Sequence, residues 1–418
     1  MSQLRDDCFA QPGPRLPVAE ALARLEAAAV PVVGVEDVTL ESARGRVLAA
    51  DLVSPRDVPA FTNVAVDGWA VRHADLDPER PTRLVVAEGR AAAGHPWPGR
   101  LPPGAALRVL TGGALPEGAD SVLMQEDVRV DGDGIRVPAG LKLGANRRKA
   151  GEDMCAGQVV LAAGTRLRPQ ELAAAAATGH ATLRVFRPLR VAVVSTGDEL
   201  REPGPDLPRG AVFDANRVML KALLASLPAA VTDLGIVPDD APTVRAALRD
   251  AATSHDVLLT SGGASRGEED HMVDAVRALG RLDFWQIAMK PGRPLAFGRL
   301  GDAVFTGLPG NPVAAFVCFL RFARPLLLAL AGAPFPTPRA YPLPAAFAQS
   351  KKPDRTELLR ARVVDGPAVE RIAREGSGII TALTDADGLV ELGPKVTEVR
   401  PDEPVDYLPF AEFGLSPT

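Results

Sequence analysis

From Leu189 onward the chain changes rhythm every ten to fifteen residues. RVAVVSTGDEL, AAVTDLGIV, HDVLLTSGG and DAVFTGLPGNP are short apolar runs, each ending in small or turn-forming residues. Between them lie ANRVMLKALLASL, TVRAALRDAAT and MVDAVRALG, with apolar residues three and four apart, and a long apolar run follows the last. The first set predicts buried strands and the second amphipathic helices. Strands separated by helices are joined by crossovers, so they predict a parallel, doubly wound sheet with helices on both faces. This expectation governs residues 188–333, an α/β domain.

The remaining segments arrange themselves around that domain. VAEALARLEAAA (Val18 to Ala29) has helical spacing. From about Asp57 to Val137 the pattern becomes short strand-like runs divided by Gly and Pro, among them TRLVVAEG, LRVLTGG and SVLMQEDVRV. Helical pattern returns at PQELAAAAATG (Pro169 to Gly179). An all-β stretch bracketed by helical segments predicts an inserted domain. The expected division is a discontinuous N-terminal linker domain at 15–53 and 141–187, with an inserted β domain at 54–140. After the proline-rich PFPTPRAYPLPAAF, the runs RTELLRARVV and DGLVELGP predict a small C-terminal β domain at 334–413. The fold class is therefore α/β multidomain, and 418 residues are long for one core.

Charge and cysteine content remove several function classes. A net charge of −5 argues against a general nucleic-acid binder, which needs a basic surface for phosphates, but it leaves room for a local anion pocket. Three scattered cysteines do not make a disulfide framework, and five histidines without ligand spacing do not make a structural zinc site. MSQLRDDCFA has no apolar signal core, and the apolar run from Val313 to Ala333 is interrupted by Arg321 and Arg324. A buried helix, no membrane association and a cytoplasmic setting are expected.

In an open parallel sheet, ligands collect at the carboxyl ends of the strands. Three small-residue turns fall there: STGDEL (Ser195 to Leu200), TSGGAS (Thr260 to Ser265) and GLPGNP (Gly307 to Pro312). Such turns expose backbone amides to anions. In GLPGNP, Gly310 permits an unusual backbone angle, Asn311 is a helix cap and Pro312 a first helical residue. Asp198 and Asp214 are candidate helix caps. KPGR sets Lys290 and Arg293 around a tight turn, an arrangement suited to oxyanions. NRRKAGED (Asn146 to Asp153), VDGWA (Val66 to Ala70) and TGGALPEGAD (Thr111 to Asp120) mix carboxylates, cations and hydroxyls in Gly-rich turns. TSGGAS runs on into Glu268, Glu269 and Asp270. Carboxylates beside an anion-binding turn point to Mg²⁺, which binds one or two carboxylates together with substrate phosphates.

VPAFTNVAVDGWAV, LTGGALPEGAD, NRRKAGED, STGDEL, FDANR, TSGGASRGEED, KPGRPLAFG and GLPGNPVAAF together resemble, in order, the molybdopterin molybdenumtransferase family, the MoeA-type proteins that include the gephyrin E domain. The resemblance implies insertion of molybdate into adenylylated molybdopterin with release of AMP, in a Mg²⁺-dependent step of molybdenum cofactor synthesis. It implies a homodimer whose site lies between the α/β domain of one subunit and N-terminal parts of the other, and contact with molybdopterin adenylyltransferase. Asp67, Asp153, Asp270 and Lys290 are the implied catalytic residues. Asp198, Asp214 and Asp270 are the implied metal carboxylates. Thr111, Arg148, Glu171, Ser261, Gly262, Gly263, Arg293, Pro309, Pro312, Arg355 and Ser377 are the implied substrate contacts. Relatives often carry lysine where Gln286 stands and a small apolar residue where Arg266 stands. Two other readings compete: molybdopterin adenylylation, and a non-catalytic scaffold on the same fold.

Overall fold

A computed structural model describes residues 15–262, 271–364 and 366–415. Helix α1 (Val18–Ala28) buries Val18, Ala21 and Leu25, one face at helical spacing. These residues share a core with Leu189, Val193 and Val304 of the α/β sheet, and α1 itself packs against the helix Arg324–Leu330. Strand β1 (Val35–Thr39) pairs antiparallel with β2 (Thr182–Phe186), which follows helix α2 (Pro169–Ala177) and closes the linker region.

Between β1 and α2 lies the inserted sheet of six strands, among them Gly68–Val71, Thr82–Ala91 and Ala105–Val109. Two apolar clusters line its faces, one with Val64, Ala70 and Val109, the other with Val71, Leu84 and Ile135. Gly68 lies where a Cβ would sit 1.7 Å from the Leu123 carbonyl oxygen. The glycine of VDGWA therefore answers a close strand-to-strand approach, beyond the demands of a simple turn.

The central sheet contains β3 (Leu189–Thr196), β4 (Ala229–Val237), β5 (Val257–Ser261), β6 (Arg281–Gln286), β7 (Pro294–Leu300) and β8 (Ala303–Leu308), in spatial order β4-β3-β5-β8-β7-β6. The first four of that order run parallel, as the alternation predicts. The last two pair antiparallel, so the sheet is mixed. The reason is the short KPGR connection and the turn after Leu300, which leave no length for a crossover helix. Helices α3 (Ala215–Leu224), α6 (Pro312–Cys318) and α7 (Arg324–Leu330) cover one face; α4 (Ala241–Ser254) and α5 (His271–Leu279) cover the other.

α6 and α7 form one continuous rod through a π-helical segment at Phe319–Ala323. Pro325, at the start of α7, has no N–H to donate to the preceding turn, and the widened segment absorbs that loss. The rod is apolar enough to span a membrane but is wholly buried within the protein. Its outer side is covered by the C-terminal sheet, whose strands include β9 (Thr356–Val363), β10 (Gly388–Leu392) and β11 (Pro404–Pro409). Leu358, Leu389, Leu408 and Phe410 join the rod's core, and Phe316 meets the Phe410 ring edge-on at 5.3 Å.

Gly68→Ala is expected to lower the stability of the inserted sheet by about 3 kcal/mol or more, because backbone must move to admit the methyl group. Thermal unfolding followed by circular dichroism checks this; an unchanged transition would refute the packing account.

Candidate functional site

The register of the parallel strands sets the turns side by side. Ser195 of β3 stands opposite Ser261 of β5, which stands opposite Leu308 of β8. The turns then converge on Gly262. A Cβ at Gly262 would lie 3.9 Å from the Thr196 carbonyl oxygen, and a Cβ at Gly310 would lie 3.8 Å from the Gly262 Cα. Gly262 takes φ +93°, a left-handed conformation that glycine adopts without strain. Its amide donates to Leu308 O at 3.0 Å, so this N–H is engaged in the sheet and is not offered to an anion. Among the described residues, the buried Ser195 hydroxyl has no hydrogen-bond partner, and neither does Asn216 Oδ1. Unpartnered buried polar atoms at strand ends mark a place where a polar ligand or water completes the bonding.

GLPGNP departs from expectation in detail. Pro312 does begin α6 and Asn311 holds the cap position, but no side-chain cap bond forms. Gly310 keeps a backbone angle open to any residue. The turn is fixed from outside instead: Asn216 Nδ2 donates to Gly310 O at 2.7 Å, and Val313 N donates to Ser377 O at 3.0 Å.

STGDEL is not followed by a helix. The chain runs through a loop to α3, and Asp198 caps nothing; its carboxylate is exposed and accepts one long N–H from Asp239, 3.4 Å. Asp214 caps α3 as expected, accepting from Arg217 N at 3.1 Å and Arg217 Nε at 2.9 Å. Each oxygen accepts one of these bonds and the residue is buried, so the cap is the role the structure shows for this expected metal carboxylate. Arg217, in the same FDANR stretch, is the residue the sequence reading passed over. It is 6 % exposed and also binds Asp233 at 2.6 Å and Glu202. Burial works against a charged Asp233, but bonds from Lys221 and Arg217 outweigh it and bring its pKa down to about 2. Glu202 belongs to the loop carrying Asp198, so Arg217 ties that loop to the sheet.

Glu171 is likewise structural. Its carboxylate accepts from Arg168 N at 2.9 Å and Arg168 Nη2 at 2.6 Å, which makes the glutamate half of a capping box at the start of α2. Bonds with Arg168 hold its pKa below the ordinary glutamate value, and the cap is the role the structure shows for this expected substrate contact. Gly263 and Asp270, with the rest of 263–270, lie outside the described residues.

Lys290 is exposed and stands opposite Glu357 of β9, and Ile287 N donates to Arg293 O at 2.7 Å, closing the KPGR turn. Arg355 binds the buried Glu357 through Nε at 2.8 Å. The C-terminal sheet thus delivers Arg355 beside KPGR and Ser377 beside Pro312. Pro309 shapes the same turn between β8 and α6.

A second group assembles where the inserted sheet meets the linker. Asp67 Oδ1 accepts from Thr111 N at 2.8 Å and Thr111 Oγ1 at 2.7 Å. The Thr111 amide, then its hydroxyl, holds the Asp67 carboxyl below its ordinary pKa. Arg148 pairs with Asn63, and Asp153 N donates to Val58 O at 3.1 Å. Asp67, Arg148 and Asp153 are all exposed. Each hydrogen bond named for this quartet stays within the inserted sheet and its linker.

Among the described residues, no cluster of three or more His, Cys, Asp or Glu surrounds a metal position. Asp198, exposed three residues after Ser195, fits the sparse protein set that Mg²⁺ uses when substrate phosphates complete its shell.

Three family matches cover most of the chain: the MoeA N-terminal region (domain I and II) at 16–179, the "Probable molybdopterin binding domain" at 192–329 and the MoeA C-terminal region (domain IV) at 342–410. A molybdopterin molybdenumtransferase of Haemophilus influenzae is 43% identical over 71% of this chain and 73% of its own length. Molybdopterin molybdenumtransferase 2 of Mycobacterium tuberculosis is 35% identical over 87% of this chain and 92% of its own. The crystal structure of the molybdopterin biosynthesis moeA protein from Pyrococcus horikoshii OT3 superposes with a TM-score of 0.83 at 29% identity, covering 94% of this chain and all of that one.

Three outcomes follow from the geometry. Arg217→Ala is expected to cost about 3–5 kcal/mol in denaturant unfolding, because Asp214 is left buried and unpaired. Asp233, with its folded pKa depressed from 3.8 to about 2, adds stability that is complete above pH 3.8 and is lost as pH falls through about 2. Acid unfolding of Asp233→Asn lacks that component. Thr111→Val is expected to raise the Asp67 pKa while the amide bond remains; carboxyl NMR titration reads the shift, and an unmoved value would contradict it.

Proposed function

The chain belongs to the MoeA-type molybdopterin molybdenumtransferase family, and on that premise we propose that it inserts molybdate into adenylylated molybdopterin with release of AMP. The observation that carries the reading is the meeting, at the strand ends, of two unlike surfaces. One is the small-residue floor around Ser261, Gly262 and Gly310, with Ser195 and Asn216 holding unpartnered polar atoms. The other is the cationic edge of Lys290, Arg293 and Arg355, with Ser377 brought up against α6. The first suits a polar heterocycle with phosphates; the second suits a tetrahedral oxyanion.

In this reading Lys290 and Arg293 hold molybdate, and Arg355, oriented by Glu357, lends charge from the C-terminal sheet. Mg²⁺, when bound at Asp198, supplies charge neutralisation for the phosphoanhydride. Asp270 belongs to the same proposal as a further carboxylate. Asp67, fixed by Thr111, stays ionised through the neutral range and is suited to orient the attacking oxygen, with Arg148 and Asp153 beside it. Fixed charges that meet developing charge are the main source of acceleration here.

The quartet sits on a different part of the fold from the strand ends. We therefore place the working site between two copies of the chain, the quartet of one facing the cleft of the other. The exposure of Asp67, Arg148 and Asp153 supports this. The reaction belongs in the cytoplasm, next to the enzyme that adenylylates molybdopterin.

The test is AMP release by the purified protein with adenylylated molybdopterin, molybdate and Mg²⁺. Lys290→Ala and Asp67→Asn are each expected to lower the rate by about 100-fold or more. No AMP from the unaltered protein would overturn the proposal.

A further inference from the structure

Strands fix the two ends of the KPGR turn, and the helical rod supports its middle. Before the turn, Met289–Lys290 pairs parallel with Thr356 and Glu357 of β9, and Thr356 N donates to Ala288 O at 2.8 Å. After it, Arg293 O accepts from Ile287 N at 2.7 Å. Leu16 holds the same stretch, its N–H donating to Gln286 O and its carbonyl accepting from Ala288 N, each at 2.8 Å. Between the two cations, Gly292 rests on α6. Cys318 Sγ donates to Gly292 O at 3.4 Å. A Cβ at Gly292 would lie 2.4 Å from Cys318 Sγ, 3.0 Å from Met289 Cε and 3.5 Å from Ala314 O. Ala314 and Cys318 are four residues apart, on one face of the helix. Gly292 also takes φ +96°. A side chain there is opposed by the backbone angle and, separately, by the sulfur.

Cys318 is fully buried in the core of the rod. Burial pushes its thiol pKa up, so it stays protonated and acts as a compact S–H donor, not as a nucleophile. A packed core leaves the sulfur little space to turn aside. Met289 differs, because it offers Gly292 only the flexible end of its side chain. The same helix also holds the other half of the cleft: α6 starts at Pro312, and Val313 N donates to Ser377 O. One rigid element therefore carries both the cation edge and the turn beside the small-residue floor.

We propose that Cys318 is a positioning residue for the oxyanion subsite: its sulfur sets how far the Pro291–Gly292 turn stands off the rod, and with that the spacing of Lys290 and Arg293. The inference rests on the assignment of those two cations to molybdate. An S–H···O bond is weak, so the effect is chiefly one of shape. Two cations that share one tetrahedral ion must keep matched positions, and a misplacement of about 1 Å can cost about 100-fold at a reacting site. A methyl group added to Gly292 pushes the turn off the sulfur. Loss of the sulfur removes the support beneath it. Either change moves the cations without deleting them. Together the two changes offset one another, because the space left by the sulfur admits the methyl group.

The molybdate dependence of AMP release by the full chain tests this, with the KM for adenylylated molybdopterin as the internal control. Gly292→Ala is expected to raise the molybdate KM about tenfold or more and to leave the pterin KM unchanged. Cys318→Ala alone is expected to raise the molybdate KM about threefold. The double variant is expected to recover about threefold relative to Gly292→Ala, a coupling that independent lesions do not show. General loss of structure lowers the rate and yields neither the KM split nor the relief. A double variant no better than Gly292→Ala overturns the proposal. If Gly292→Ala does not fold, Cys318→Ala decides alone, and a molybdate KM equal to that of the unaltered protein overturns it. Arg293→Ala is expected to raise the molybdate KM whichever way these results fall. If it does not, or if no AMP is released, the subsite assignment itself fails and the positioning role falls with it.

Discussion

The burial of one helical rod on two opposite sides organises this molecule. From Pro312 to Leu330 the chain presents apolar surface all round, which is stable in water only if protein covers every side. The mixed sheet covers one side and the C-terminal sheet the other, in a single continuous core. That packing fixes where the rod begins. The GLPGNP turn, the Asn216 contact to Gly310 and the Ser377 contact to Val313 all sit at this end. The C-terminal sheet reaches the strand ends because it is glued to the rod, and it brings Arg355 and Ser377 with it.

Burial also separates the carboxylates by task. Asp214, Glu171 and Glu357 are nearly inaccessible, and each is bonded to an arginine close by in sequence. Unpaired, such groups would be costly in a low-dielectric interior. They hold elements in place. Asp67, Asp153 and Asp198 are exposed, and only Asp67 is clamped, by a neighbour that lowers its proton affinity. A chain of net charge −5 can host anions because its buried acids are locally neutralised.

Much of this was legible in the sequence. The strand–helix alternation located the parallel strands and the three turns, since period and turn chemistry are local properties. The antiparallel pair at Arg281–Gln286 and Pro294–Leu300 was less legible: apolar runs do not state direction, and only the shortness of KPGR hinted at it. VDGWA yielded Asp67 but not the reason for Gly68, which depends on Leu123 more than fifty residues away. FDANR yielded the Asp214 cap but not Arg217, whose partners Asp233 and Glu202 lie on other segments. Glu171 and Asp214 resemble ligands in a motif; only their burial and bonded oxygens show that they are caps.

The central claim is that catalysis needs the Asp67 quartet of one copy and the Lys290 edge of another. Co-expression of Asp67→Asn and Lys290→Ala chains with different affinity tags, followed by isolation of the doubly tagged species, puts both lesions in one assembly. In a two-fold dimer, one site then carries both defects and the other carries neither. The account predicts that the mixed species regains roughly half of normal AMP release while each parent dimer stays inactive. A mixed species as inactive as its parents would show that the two groups act within one chain, and would contradict the account.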